Sequence, residues 1–160
     1  MHWSRKLINR LLRYAIVVST LLMLWKSLVL ATNCSRPILV VLSSDGYSFY
    51  NLGDLFFVTN YPADPIRTGD VVVFRIEGRF IPIVHRVIRV HEREDGYVKF
   101  LTKGDGSQVD DRGLYPVGQL WLEREQIVGK VKGYLPYLGL FVILLSNLPL
   151  VDRLLSGVLA

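Results

Sequence analysis

Apolar residues form one long run near the start of the chain, a shorter run near its end, and broken runs in between. The first run covers residues 14–31, which are apolar apart from two serines, one threonine and Lys26. As a helix, these roughly 18 residues would extend about 27 Å, close to the hydrocarbon thickness of a bilayer. Lys26 lies near the far end, where its long stem can carry the charge to the interface. The pattern predicts a transmembrane anchor over 14–31.

Between residues 36 and 133 the apolar residues occur in short runs rich in valine and isoleucine, separated by glycine and proline turns. Runs of this kind, without a helical period, are typical of antiparallel β-strands. We expect strands over 37–42, 55–59, 70–76, 81–90, 97–102 and 126–131. The domain 36–133 is therefore predicted to be mainly β, an antiparallel barrel or sandwich.

Residues 134–160 form a hydrophobic tail. Its run at 138–145 is too short to span a bilayer before Asn147 and Pro149 interrupt it, and 150–160 is apolar again. This pattern favours a pair of helices that lie in the membrane interface, with a second spanning segment as the alternative.

Charge gives the predicted anchor an orientation. Residues 1–13 contain basic residues and no acid, namely Arg5, Lys6, Arg10 and Arg13. Because positive charge beside a spanning helix stays in the cytoplasm, the residues after Thr32 are predicted to lie on the other side. A removable signal peptide is the alternative. However, the run is longer than the apolar core of most signal peptides, and residues 31–33 are not an A-x-A cleavage site.

The cysteine and histidine content and the net charge limit the kinds of functional site to expect. The chain has one cysteine, Cys34, which excludes an intrachain disulfide and a cysteine-rich zinc site. Its histidines, His2, His85 and His91, lack the spacing of metal ligands, so we assign no metal and no cofactor. A net charge of +5 without a nucleic-acid-binding motif gives no reason to expect a nucleic-acid partner.

One histidine has neighbours that suggest catalysis. His85 lies in the middle of the β-branched run 81–90. A histidine there is either a satisfied core residue or a base held ready near neutral pH. Two acidic turns follow at 103–105 and 109–113, and a serine-rich strand end precedes it at 42–45. Histidine, carboxylate and serine are the parts of a hydrolytic triad, if the fold brings them together.

Recognisable motifs follow one another through nearly the whole chain. They lie at 37–43, 53–55, 64–74, 75–79, 81–87, 101–105, 109–115 and 127–130. In this order they resemble the catalytic subunit of the eukaryotic endoplasmic-reticulum signal peptidase, a membrane-anchored serine protease. The resemblance implies a signal-peptidase-like β-domain in the lumen behind a single-pass anchor with a cytoplasmic N-terminus. It also implies cleavage of signal peptides after small residues at the lumenal membrane face. The implied partners are other signal peptidase complex subunits, signal peptides of preproteins and membrane lipid.

By position, the resemblance implies a role for four residues. His85 is similar to the family's general base, Asp111 to the triad acid and Asp105 to a second acid in the same site. Ser43 matches the first serine of the family's nucleophile motif, whose hydroxyl helps to hold the oxyanion. His85 would take the nucleophile's proton and return it to the leaving amine, while a carboxylate fixes its tautomer.

The nucleophile motif departs from the family. The family reads Ser-[Gly/Glu]-Ser-Met-x-Pro and its second serine attacks, whereas residues 43–48 here read Ser-Ser-Asp-Gly-Tyr-Ser. Asp45 therefore stands at the attacking position. A carboxylate that attacked a peptide carbonyl would give an anhydride, which is less stable than the amide. Ser44 points to the opposite face of an extended segment, so it becomes a shifted nucleophile only if the chain re-registers with the freedom of Gly46.

Three interpretations stay open on the sequence alone. The chain is a working serine-type endopeptidase with a shifted serine, or it is an inactive paralogue that acts as a structural or signal-peptide-binding subunit. In the third interpretation the few codons around Asp45 are misread. The resemblance favours the first.

Overall fold

The computed structural model describes residues 2–42, 50–79, 81–93 and 96–146. A long helix, α1 (His2–Thr32), is followed by β1 (Ile38–Val40), β2 (Leu55–Thr59), β3 (Val71–Phe74), β4 (Ile83–Glu92), β5 (Val98–Lys103), β6 (Leu122–Glu123) and β7 (Ile127–Leu135), and then by a short helix, α2 (Leu138–Ser146). Two 3₁₀ turns, Asp111–Gly113 and Arg124–Gln126, precede β6 and β7.

The strands form one curled antiparallel sheet in the order β1-β2-β7-β3-β4-β5-β6. The prediction of a mainly β, antiparallel fold is confirmed. The strands lie where the apolar runs indicated, with several ends shifted by one or two residues and with two larger differences. β7 runs on to Leu135, beyond its expected end at 131, and β6 has only two residues. The sequence pattern did not indicate β6 because so short a pairing contains no alternation.

Strand β3 separates two apolar cores, because its alternate residues face opposite sides of the sheet. Val72 and Phe74 belong to the larger core, together with residues of β4, β5 and β6. Val73 belongs to a smaller core with Phe56 and Val58. All four residues of β3 are buried. A strand buried on both faces is expected to read as a continuous apolar run, as the sequence Val-Val-Val-Phe does.

Helix α1 is long and apolar enough to cross a membrane over Arg5–Thr32, a range that contains the predicted anchor 14–31. Its end is tied to the β-domain by several hydrogen bonds, one of them from the Tyr61 hydroxyl to the carbonyl of Ala31. The N–H of Asn60 donates to the carbonyl of Thr32 at 3.0 Å, and the side-chain amide of Asn33 donates to the carbonyl of Asn60 at 2.8 Å. The β-domain therefore begins directly at the end of the helix.

Helix α2 packs closely against the edge of the sheet through a glycine. A Cβ on Gly139 would lie 2.5 Å from the side chain of Val40 and 2.7 Å from the carbonyl oxygen of Gly53. The buried carboxylate of Asp54 also accepts a hydrogen bond from the N–H of Tyr137, just before the helix, at 3.1 Å. α2 coincides with the first of the two expected tail helices, and 147–160 lies outside the described residues. Its position relative to a membrane stays a prediction.

Candidate active site

His85 faces the larger core from β4. The ladder pairs it with Val72 of β3, and residues paired in this way share a face of the sheet. The ring of Phe74 lies edge-on to the imidazole, with 6.2 Å between the ring centroids. The His85 side chain is 19% exposed. The site therefore shields the imidazole on one side and leaves it reachable from solvent on another.

Asp111 is buried and binds this imidazole. His85 Nδ1 lies 2.6 Å from Asp111 Oδ2, and the Asp111 side chain is 4% exposed. Asp111 begins a 3₁₀ turn that Asp110 caps by accepting a hydrogen bond from the N–H of Arg112 at 3.2 Å. Because a carboxylate only accepts hydrogen bonds, Nδ1 carries the hydrogen, and in the neutral imidazole Nε2 then keeps its lone pair. This is the arrangement of histidine and acid in a hydrolytic triad.

Asp105, the second predicted acid, lies near His85 but binds a different side chain. Its two carboxylate oxygens accept hydrogen bonds from Nε and Nη2 of Arg86, each at 2.8 Å. These bonds hold the pKa of the Asp105 carboxyl below its usual value and raise the pKa of the Arg86 guanidinium. Arg86 also donates to the carbonyl of Gly69 at 2.9 Å. Arg86 thus joins the turn after β5 to the turn before β3, next to His85.

A second group of charges holds the residues before β3. Lys130 Nζ of β7 lies 2.8 Å from Asp64 and 3.0 Å from Asp70, and Lys132 also contacts Asp64. The hydrogen bonds from Lys130 and Lys132 lower the pKa of Asp64 to about 2. Burial lowers the pKa of Lys130, but its bonds to the two carboxylates outweigh burial and raise it. The segment before β3 is therefore fixed by cations from both β4 and β7.

A cleft of about 740 Å³ opens beside His85. Residues 38–42 line one side and residues 81–86 line another, with Asp105 and Leu114 also in the wall. β1 is an edge strand, and β4 pairs with β5 only from Arg86 onward. Within the part of the chain that the structure describes, two strand edges without a strand partner therefore border the cleft.

Thr102 is a site residue that the sequence analysis missed. Its hydroxyl donates to Asp111 Oδ2 at 2.6 Å, and its side chain is buried in β5. The register places Thr102 opposite Val87, which belongs to the larger core. Phe100 and Thr102 lie two residues apart on one face of the strand. A hydroxyl in an otherwise apolar row was the signal that could have revealed it.

Several curated proteins are similar to most of the chain, although no family model matches it. The chain is 51% identical over 146 residues to the signal peptidase complex catalytic subunit SEC11C of Homo sapiens, covering 91% of this chain and 76% of the relative. It is 46% identical over 144 residues to the putative signal peptidase complex catalytic subunit SEC11B of Homo sapiens, covering 90% and 86%. It is 42% identical over 157 residues to the signal peptidase complex catalytic subunit sec11 of Dictyostelium discoideum, covering 98% and 87%. The chain belongs to the family of signal peptidase complex catalytic subunits.

Membership of this family confirms the resemblance that the motifs indicated, and with it a homologue of the signal peptidase catalytic subunit. A subunit of such a complex has other subunits as partners. The N-terminal apolar helix agrees with a membrane-bound member of the family.

The expected nucleophile motif, residues 43–48, lies within 43–49, a range that the structure does not describe. Ser43, Ser44 and Asp45 are thus outside the described residues. The described residues on either side of this range, Leu42 and Tyr50, both line the cleft beside His85.

Proposed function

We propose that this chain is a serine-type endopeptidase that removes N-terminal signal peptides from secretory and membrane preproteins. The observation that carries the proposal is the 2.6 Å contact between His85 Nδ1 and Asp111 Oδ2 in a member of the signal peptidase family. With Nδ1 engaged, Nε2 acts as the general base, which takes a proton from a hydroxyl and returns it to the leaving amine. Asp111 stabilises the imidazolium that forms in between.

The cleft fits a substrate in extended conformation. An extended peptide can add to an open strand edge through main-chain hydrogen bonds, and two such edges border the cleft at 38–42 and 81–85. The same walls carry apolar side chains, among them Ile38, Ile83 and Val84. We assign this cleft to the signal peptide, which is cut after small residues as the family resemblance implies.

The attacking hydroxyl must come from the 43–49 segment. Asp45 occupies the family's attacking position, where a carboxylate gives no productive acyl intermediate. We therefore assign the attack to Ser44, after a local re-registration that Gly46 permits, and the support of the oxyanion to Ser43. A catalytically inactive subunit that binds signal peptides or holds the complex together is the alternative, and Asp45 is the observation that favours it.

Asp105 serves the site as a positioning residue in this proposal. Both of its oxygens are bound by Arg86, which leaves Asp111 as the acid that contacts the imidazole. Arg86 follows His85 directly in β4, so the Asp105–Arg86 pair holds the strand that carries the base.

We place the chain in the endoplasmic-reticulum membrane as a single-pass type II protein. The basic segment 1–13 would then be cytoplasmic, α1 would span the membrane over 14–31, and the β-domain 36–133 would be lumenal. The tail 134–160 would lie in the membrane interface, where it contacts lipid. The other partners would be the remaining subunits of the complex and signal peptides, with no role for nucleic acid.

The test uses microsomes that lack the endogenous catalytic subunit. We expect the full chain, assembled with its partner subunits, to process a reporter preprotein, and His85→Ala and Ser44→Ala to abolish processing. Asp45→Ala should remain active. Complex assembly without any processing by the wild-type chain would reject the enzyme and support the inactive subunit. Processing that appears only in Asp45→Ser would show that the nucleophile alone had been lost.

A further inference from the structure

The carboxylate of Asp111 has a second hydrogen-bond donor besides His85. Thr102 Oγ1 lies 2.6 Å from the same oxygen, Oδ2, that contacts the imidazole. Tyr115 Oη lies 2.9 Å from Thr102 Oγ1 and accepts a hydrogen bond from the N–H of Thr102 at 3.1 Å. Thr102 is 0% exposed, Asp111 3% and Tyr115 6%. The three buried side chains are therefore linked by consecutive hydrogen bonds.

The number of available hydroxyl hydrogens determines which group is the donor in each of these hydrogen bonds. Asp111 as a carboxylate can only accept, so the single hydroxyl hydrogen of Thr102 points to Oδ2. Thr102 Oγ1 then has no hydrogen left for Tyr115, so Tyr115 is the donor in that contact. The Tyr115 oxygen in turn accepts the N–H of Thr102. Each hydrogen thus has one acceptor, and the series of hydrogen bonds ends on the Asp111 oxygen that contacts His85.

We propose that Thr102 and Tyr115 are positioning residues for the triad, which act through Asp111 to hold His85 as its Nδ1–H tautomer. The proposal rests on the function assigned above. A carboxylate with one fixed donor presents Oδ2 to the imidazole in a single orientation. Without that donor the carboxylate can rotate, and the imidazole loses the contact that selects its tautomer.

The groups around Asp111 and His85 favour this direction of hydrogen bonding near neutral pH. Burial raises the pKa of Tyr115, although its hydrogen bonds with Thr102 lower it, so its hydroxyl stays a donor. The charged groups near the imidazole come from three directions. They are Asp111 from the 3₁₀ turn, Asp105 from the turn after β5, where Lys103 also acts on Asp105, and Arg86 from β4 itself. The opposite charges of Asp105 and Arg86 offset each other, and Asp111 is the acid in contact with His85.

Two substitutions at position 102 distinguish a role of the hydroxyl in positioning Asp111 and His85 from a role of the side chain in packing. Thr102→Val keeps the shape of the side chain and removes the hydroxyl, whereas Thr102→Ser keeps the hydroxyl and removes a methyl group. In the assembled complex, we expect Thr102→Val to lower kcat by on the order of tenfold with KM changed less than about twofold. Thr102→Ser should stay within about threefold of wild type. Tyr115→Phe should fall between them, because Thr102 keeps its hydroxyl but loses the donor that orients it.

The matched control is Thr59→Val in β2. Thr59 is a threonine of the same sheet whose buried hydroxyl has no hydrogen-bond partner among the described residues. The same chemical change there should leave kcat and the pH profile unchanged. In Thr102→Val the acid limb of kcat/KM should move to lower pH, because an imidazole that has lost its contact with the carboxylate has a less stabilised charged form. Equal kcat per folded complex in Thr102→Val and wild type would overturn the proposal.

A spectroscopic readout keeps this inference separate from the proposed function. The full chain labelled with ¹⁵N-histidine has three imidazoles, and His85→Gln identifies the signals of His85. We expect the Nδ1–H tautomer in wild type and Thr102→Ser, and a mixture of tautomers in Thr102→Val. The same tautomer in all three would overturn the inference even if the chain cleaves. If the variants show the expected tautomers but the wild-type chain cleaves no preprotein, the proposed function is rejected and the inference on Thr102 is retained.

Discussion

Both carboxylate oxygens of Asp105 are held by the guanidinium of Arg86, at 2.8 Å each, so this acid is not the one that binds His85. Asp111 makes that contact instead. Two acids that lie six positions apart in the chain therefore have different partners, and substitutions at each should give different results.

Asp111→Asn should inactivate the chain almost completely. An asparagine in place of the triad acid favours the wrong histidine tautomer, and losses of about 10⁴-fold in kcat are known for such a change. Cleavage of a reporter preprotein under single-turnover conditions would measure it. If Asp111→Asn kept more than about a tenth of the wild-type rate, the acid would have to be sought elsewhere.

Asp105→Asn should have a smaller effect that depends on Arg86. We expect Asp105→Asn and Arg86→Gln each to reduce kcat by about tenfold, because either change leaves one partner of a partly buried ion pair without its counterpart. The double variant should be no worse than the single variants, since residues of one pair are not additive. A double-mutant cycle on kcat measures this. Additive losses would instead mean that Asp105 acts on the reaction independently of Arg86.

Asp64 should make the domain less stable in acid. Its folded-state pKa of about 2 lies below the ordinary value, so its charge stabilises the fold fully above about pH 4 and loses this effect as the pH falls through 2. Asp64→Asn should therefore lower the thermal midpoint at pH 6, and the difference from wild type should narrow in acid. Glu77→Gln, in an exposed turn, is the control that should show no such dependence. A pH-independent difference would argue against the ion pairs with Lys130 and Lys132.

Gly139→Ala should loosen α2. The added Cβ would approach the carbonyl oxygen of Gly53 to 2.7 Å, and backbone atoms there cannot move aside easily. We expect a loss of about 1–3 kcal/mol in the free energy of unfolding, as for other overpacked sites. Gly133→Ala in β7 is the matched control, because its Cβ would meet nothing within 4 Å. Denaturant unfolding of both variants measures the difference, and equal stability would show that α2 is not held by this contact.

The strands could be read from the sequence because the apolar runs are short and lie between glycine and proline turns. The run Val71-Val72-Val73-Phe74 is a clear case, since a strand between two cores needs apolar residues on both faces. β6 could not be read, because its two residues are positioned by pairing with β5 rather than by a pattern of their own.

The site was harder to predict from the sequence than the fold was. The order of the motifs placed His85 and Asp111 together, but spacing alone does not tell which of two acids in neighbouring turns reaches an imidazole. That choice depends on the 3₁₀ turn at Asp111 and on the side chain of Arg86, whose role in binding Asp105 has no sequence signature. Thr102 was missed for a similar reason, since its partner lies nine residues away in a different element.

If His85 is the proposed base, its pairing with Val72 couples catalysis to correct folding. If β4 slid past β3 by a single residue, every side chain of the strand would turn to the opposite face, and the imidazole would point away from Asp111. A copy with misaligned strands would thus be harmless as well as unstable, since it would have no base with which to cut. In the proposed enzyme, cleavage would therefore depend on the correct assembly of the protease's own sheet.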